Sequence, residues 1–286
     1  MKWPLYALSK GTLLRERYQI CEFLEEGCNG IVYRGKDLRD GKDIAIKEFF
    51  PSESVYRYRE PSVTWRIEKT EVLEKCRDFL KIPALFVNMN KIPGIVEIRD
   101  CFQENDTAYM IMEWIDGMSL EQRLCKGQIG WEECKRYMFP LMKVIEDLHE
   151  QGIFYKDMTP ENIFITKKGE AVLLDLEEAQ LFEEKEAQKS FVITSGFSPI
   201  EQYIPCGKVG PWSDVYAMSA TIYYCLTGDM PKPAFLRRKD KKLDVELLKK
   251  AGMTEKQILV LEKGMAVYVE ERWKTMDIFR ENLEEE

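Results

Sequence analysis

The amino-acid sequence predicts an α+β fold in two lobes, a small β-rich one over about residues 1–115 and a larger, mainly helical one over about 116–286. Three observations carry that expectation. Short runs of β-branched and aromatic residues crowd the first part, one helical periodicity interrupts them, and after Asp116-Gly117 the apolar spacing becomes that of long helices.

Residues 18–24, 31–34, 44–49, 95–102 and 108–114 read as strands of an antiparallel sheet. Between Pro61 and Pro83, Trp65, Ile67, Val72, Leu73, Cys76, Phe79 and Leu80 recur at helical intervals and predict a helix over 64–80. Further helices are expected over 119–126, 131–150, 215–226, 243–251, 255–265 and 277–284. Residues 163–165 and 171–174, separated by Lys167-Lys168-Gly169-Glu170, read as a hairpin placed to frame a cleft between the lobes. The charged stretch 183–190 reads as a loop.

Composition narrows the function classes. With 286 residues, 45% hydrophobic and 32% charged, the chain is long enough for two domains or one large two-lobed one with a sizeable core. Its 42 basic against 50 acidic residues give a net charge of −8, the wrong sign for tracking a phosphate backbone, so no nucleic-acid partner is expected. Eight cysteines without a C-x-x-C pair, and a single histidine, His149, supply a zinc site poorly and read as reduced thiols. The longest uncharged apolar stretch, 215–226, is too short to span a bilayer, and Met1-Lys2-Trp3-Pro4 lacks an apolar signal core. A cytoplasmic chain without membrane insertion is expected.

Four places in the chain carry residues suited to phosphoryl transfer, which needs the triphosphate held, the metal held and the acceptor oriented. Leu24-Glu25-Glu26-Gly27-Cys28-Asn29-Gly30-Ile31-Val32 lies between two strand candidates, where glycines let backbone N–H groups approach phosphate oxygens. Ile44-Ala45-Ile46-Lys47 ends a strand on a lysine. Tyr155-Lys156-Asp157-Met158-Thr159-Pro160-Glu161-Asn162 places an acid able to take a hydroxyl proton five residues before an amide able to ligate a metal. Asp175 follows a strand and could hold Mg²⁺. Taken singly, each has an ordinary reading: a turn, a surface lysine, a polar turn, a strand-end cap. Their order and spacing match the signature set of protein kinases.

On these motifs the chain resembles the protein kinase superfamily, in particular bacterial Ser/Thr-type catalytic domains. Gly11-Thr12-Leu13-Leu14, Ile46-Lys47-Glu48-Phe49-Phe50-Pro51 and Ser198-Pro199-Ile200-Glu201-Gln202-Tyr203 carry the bacterial likeness. The resemblance implies an ATP- and Mg²⁺-dependent kinase, with Mn²⁺ as a possible substitute, acting on Ser or Thr hydroxyls of an unidentified protein substrate or signalling partner. Asp157 and Lys47 would be catalytic; Gly27, Gly30, Val32, Ala45, Lys47, Met112, Glu113 and Trp114 would bind the nucleotide; Asn162 and Asp175 would bind the metal. It further implies that Asp214 holds the catalytic-loop backbone, that Glu201 pairs with Arg272, that Thr194 precedes the A-P-E-like segment, and that His149 is structural.

The motifs also depart from that pattern. Glu25 replaces the first loop glycine, Tyr155-Lys156 replace His-Arg, Thr159 replaces a lysine, and Asp175-Leu176-Glu177 carries an acid where glycine is usual. The family's helix glutamate for Lys47 maps, by ungapped counting from Ile92-Pro93-Gly94-Ile95-Val96, onto Ile82, with Glu68, Glu71 and Glu74 as alternatives. These departures leave a pseudokinase, a nucleotide-binding or scaffolding module, as the alternative. A small-molecule phosphotransferase of the aminoglycoside or choline kinase type stands behind both, because those relatives lack the 196–201 segment.

Overall fold

Alternating strands and one interrupting helix build the first part of the chain. The structure, a computed structural model, describes residues 3–27, 29–58, 61–87, 89, 91–182, 193–204, 207–237 and 243–285. The chain divides into two units, Met1–Ile92 with Val96–Ile115, and Pro93–Ile95 with Asp116–Glu286.

In the first unit come β1 (Leu13–Leu14), β2 (Tyr18–Glu26), β3 (Gly30–Asp37), β4 (Asp43–Phe49), the ribbon β5 (Val55–Tyr56) and β6 (Thr64–Trp65), α1 (Lys69–Lys81), α2 (Pro83–Phe86), β7 (Ile98–Glu104) and β8 (Thr107–Glu113). The main sheet runs β1-β2-β3-β4-β8-β7, antiparallel throughout. Period-two alternation gives it two unlike faces. Along β4, Ile44, Ile46 and Glu48 are buried while Ala45 and Lys47 are half-buried. Tyr18, Ile20, Ile31, Tyr33, Ile44, Ile46, Tyr109 and Ile111 form the core on the buried face. Asn105 and Asp106, at φ 54° and 60°, turn β7 into β8 in the doubly left-handed geometry that matches strand twist.

The helix expected from residue 64 begins at Lys69 instead. Thr64 and Trp65 pair with Tyr56 and Val55, so two β-prone residues took a tertiary strand partner over a helical turn. At its far end, α1 stops at Ile82 because Pro83 cannot donate to the previous turn, and Pro83 opens α2 at the first helical position, where no donor is needed. Phe79 anchors α1 by stacking on Phe49 of β4, 5.0 Å between ring centroids.

The second unit contains β9 (Gly117–Ser119), α3 (Leu120–Leu124), α4 (Trp131–Glu150), β10 (Ile153–Phe154), β11 (Ile163–Thr166), β12 (Ala171–Leu173), β13 (Gln180–Leu181), α5 (Pro211–Thr227), α6 (Val245–Lys250), α7 (Glu255–Gly264) and α8 (Met276–Glu284). The hairpin β11–β12 forms with Ile163 opposite Leu173, and β9 adds to its other edge. Ser119 caps α3 reciprocally with Gln122, and Thr254 caps α7 with Gln257 in the same way. Pro140 sits inside α4 without ending it: it and Arg136, whose carbonyl loses a donor, are both exposed residues, so the lost bond falls on the solvent side of the helix. Helix α5 is apolar on nearly all sides and correspondingly buried, closing on Gly228 at φ 75°. Among the described residues no helix is long and apolar enough to cross a membrane.

Candidate functional site

In the first unit the half-buried sheet face gathers the residues expected around a nucleotide. Val32 lies directly opposite Lys47, and Ala45 opposite Met112, so all four side chains share that face. Tyr33, Ile46 and Glu48 lie on the other. Gly30 is required by close approach rather than by freedom: a Cβ there would fall 2.5 Å from the Glu48 carbonyl oxygen and 3.6 Å from Lys47 Cε. Gly27 donates its amide to the Gly30 carbonyl at 2.8 Å, closing the turn between β2 and β3. Asn29 accepts from the Phe50 amide at 2.9 Å.

At the end of β8, the Glu113 amide donates to the Glu97 carbonyl at 2.9 Å and its carboxylate pairs with Lys91 at 2.6 Å. The Trp114 ring carries the Arg34 guanidinium at 4.7 Å. Glu68, at the N-cap position of α1, and Glu71 and Glu74 on it are all exposed, with Glu71 3.7 Å from Lys75, whereas Ile82 is buried. The i, i+3, i+6 glutamates therefore form a solvated helix face.

In the second unit the loop from Tyr155 to Asn162 is held from below by α5. Asp214, fully buried in the first turn of that helix, accepts the amides of Tyr155 (2.9 Å) and Lys156 (2.7 Å) and contacts His149 Nε2 at 2.7 Å. Two neighbouring main-chain donors on one carboxylate fix the loop's entry, and Lys156 adopts φ 69°, a left-handed conformation unusual for a side-chain-bearing residue. Thr221, about two turns further along α5, donates its hydroxyl to the Met158 carbonyl at 2.7 Å, and Gln202 reaches the Lys156 carbonyl at 3.4 Å. Neither was singled out in the sequence. The available signal was a threonine inside the apolar run 215–226, since a buried hydroxyl needs a partner.

Asp157 is the focus of this loop. One carboxylate oxygen accepts the Thr194 hydroxyl at 2.9 Å and the other accepts Asn162 Nδ2 at 2.7 Å, while the same amide also donates to the Asp157 carbonyl at 3.0 Å. Burial pushes the Asp157 carboxyl above the ordinary aspartate range; the Thr194 bond opposes that rise and the charge of Asp175 adds to it. Asn162 hands its carbonyl to the Leu174 amide at 3.0 Å, which ties the loop to the end of β12 just before Asp175. Asp175 then accepts the Glu177 amide at 3.2 Å. Glu177 is not among the described residues with positive φ, so an acid in place of glycine strains no backbone there.

Arg272 donates to Glu201 at 2.8 Å, as the family resemblance implied, and Ser213 donates to the same carboxylate at 2.7 Å. Cys28 of the glycine-bearing stretch, and the charged stretch 183–190 expected as a loop, lie outside the described residues.

Comparison with known proteins bears on the whole arrangement. Rice (Oryza sativa subsp. japonica) CBL-interacting protein kinase 10 is 24% identical over 225 residues, 78% of this chain and 46% of its own length. CBL-interacting serine/threonine-protein kinase 15 of Arabidopsis thaliana is 24% identical over 249 residues, 86% of this chain and 53% of its own. The chain thus spans about half the length of the curated relatives it matches. Among solved structures, the PpkA-294 apo form superposes with a TM-score of 0.83 at 27% identity, covering 98% of this chain and all of that one. The sequence profile of the protein kinase domain runs from residue 18 to residue 277, from the first long strand to the start of the last helix, and the chain therefore belongs to the protein kinase family.

Proposed function

We propose that the protein is a serine/threonine protein kinase that transfers the γ-phosphate of ATP to protein hydroxyls with Mg²⁺, or Mn²⁺ in its place. The observation that supports this best is the Asp157 carboxylate, held between the Thr194 hydroxyl and the Asn162 amide on a loop whose main chain is clamped by Asp214. A carboxylate so fixed orients an acceptor hydroxyl and takes its proton, and positioning is most of what this chemistry asks of a protein.

The donor chemistry fits a hard divalent cation. Asn162 turns its Nδ2 to Asp157, which leaves its Oδ1 as an acceptor, and Asp175 adds a carboxylate; both would hold the metal. When bound, the metal neutralises charge on the phosphoryl oxygens. In the first unit, Gly27 and Gly30 would line the triphosphate, Lys47 would pair with its phosphates, and Val32, Ala45, Met112, Glu113 and Trp114 would bind the base.

The alternative, a nucleotide-binding or scaffolding pseudokinase, draws on Glu177, a half-buried acid two residues beyond Asp175. Intact-mass measurement of phosphate incorporation decides between them: phosphatase-treated protein is incubated with Mg-ATP or Mn-ATP and a generic protein acceptor, with Asp157→Asn alongside. Gain of phosphate by the wild type, reduced at least about a hundredfold in rate by the substitution, is expected. No gain with either metal overturns the transferase reading in favour of the pseudokinase.

A further inference from the structure

Residues 3–8 lie ahead of the stretch matched by the family profile, and they are built into the first unit rather than laid over it. Ala7 and Leu8 belong to the core, and Trp3 and Tyr6 pack against it. Trp3 Nε1 donates to the Leu8 carbonyl at 3.1 Å, folding the segment on itself. Leu8 donates its amide to the Tyr33 hydroxyl at 3.0 Å, and Arg57 donates to the Tyr6 carbonyl at 2.9 Å. Tyr33 and Arg57 both converge on buried Glu48, the neighbour of Lys47 on β4.

Tyr6, half-buried in this arrangement, touches one end of the glycine-bearing turn directly and reaches the other through Phe50. Its hydroxyl donates to Glu26, the last residue of β2. Its ring stacks on Phe50 at 5.8 Å, and the Phe50 amide holds the Asn29 carbonyl at 2.9 Å, immediately before β3. One residue, anchored through its main-chain carbonyl to the Arg57–Glu48 pair, thus restrains the turn at one end directly and at the other through Phe50.

We propose that residues 3–8 form a strap that positions the β2–β3 turn through Tyr6, making Tyr6 a positioning residue for whatever phosphate group that turn receives. The turn's structural restraint stands by itself; its effect on nucleotide rests on the kinase reading above.

Amide hydrogen exchange on the full chain tests the strap without nucleotide. Tyr6→Phe keeps the ring stack and removes the bond to Glu26, so amides over residues 26–31 should exchange about threefold to tenfold faster while those of β4 and β8 keep their rates. Tyr6→Ala removes the stack as well and should give the larger acceleration at the same place. Glu26→Gln retains an acceptor oxygen and should exchange close to wild type. A silent Tyr6→Phe, or an acceleration spread evenly over the sheet, shows that the segment only fills the core and overturns the proposal. Calorimetric binding of Mg-ADP supplies the second readout, with a weakening in Tyr6→Phe that parallels the exchange. If the wild type binds no nucleotide, the kinase reading fails while the exchange result still decides the strap; if it binds and Tyr6→Phe binds equally well, the positioning role fails.

Discussion

The pairs Glu48–Arg57 in the first unit and Glu201–Arg272 in the second are both buried, with side chains no more than 6% exposed, yet they are wired in opposite senses. In the second unit the arginine is the hub: besides Glu201, Arg272 donates to the carbonyls of Ala266, Trp212 and Val267, and Glu201 has one further side-chain donor in Ser213. In the first unit the carboxylate gathers more side chains, since Glu48 accepts from Arg57, from the Tyr33 hydroxyl at 2.8 Å and from the Tyr109 hydroxyl at 2.9 Å, while Arg57 donates besides to two carbonyls, those of Tyr6 and Pro61. A buried charge is tolerated in proportion to the hydrogen bonds that replace its water, so the two pairs should differ in which partner is dispensable.

The largest effect is expected from Arg272→Met, which strands Glu201 with a single hydroxyl and leaves three main-chain acceptors open. The expected loss is about 3–5 kcal/mol of stability, read by scanning calorimetry of the second unit's transition. A loss below about 1 kcal/mol would mean that water enters and solvates the acid.

Arg57→Met should cost less, by about 1–2 kcal/mol, because two tyrosine hydroxyls still serve Glu48. Replacing the acids sharpens the comparison: Glu48→Leu should now be the more damaging, since it takes the acceptor from two tyrosine hydroxyls and leaves Arg57 with two carbonyls, whereas after Glu201→Leu one serine hydroxyl loses its acceptor and Arg272 keeps three carbonyls. An unchanged order in the two series breaks the comparison.

The smallest effect has the opposite sign. Because burial raises the Asp157 pKa above its unfolded value, the proton is held more tightly in the folded chain. Stability linked to this group is therefore fully present in acid and lost as pH rises through the folded pKa. Asp157→Asn, which removes the charge, should be slightly more stable than wild type at neutral pH, the difference vanishing below about pH 4. Chemical denaturation at several pH values checks this. A variant less stable at neutral pH would show that the Thr194 and Asn162 bonds outweigh the burial of the charge.

Legibility in the sequence followed element length and chemistry. The helix over 131–150 was read to the residue because its apolar stripe runs for many turns and its one proline faces solvent. The hairpin at 163–173, the Glu201–Arg272 pair and the grip of Asp214 on the loop were also legible, the last two through family motifs. By contrast β5, β6, β10 and β13 are two residues each, too short to show any period, and exist only through their partners. Glu48 was visible only as part of a motif: nothing local tells a strand glutamate that an arginine nine residues on and tyrosines from two other strands will surround it.

By itself, then, the sequence determined the α+β class, the long elements and the identities of the residues suited to phosphoryl transfer, because periodicity and motif spacing are local properties of the chain. Only the tertiary structure decided where α1 begins, which hydroxyl meets Asp157, which helix threonine anchors its loop, and that the first few residues fasten the β2–β3 turn. Each of those depends on groups distant in sequence satisfying one another's buried charges and hydrogen bonds, a condition that becomes definite once the chain has folded.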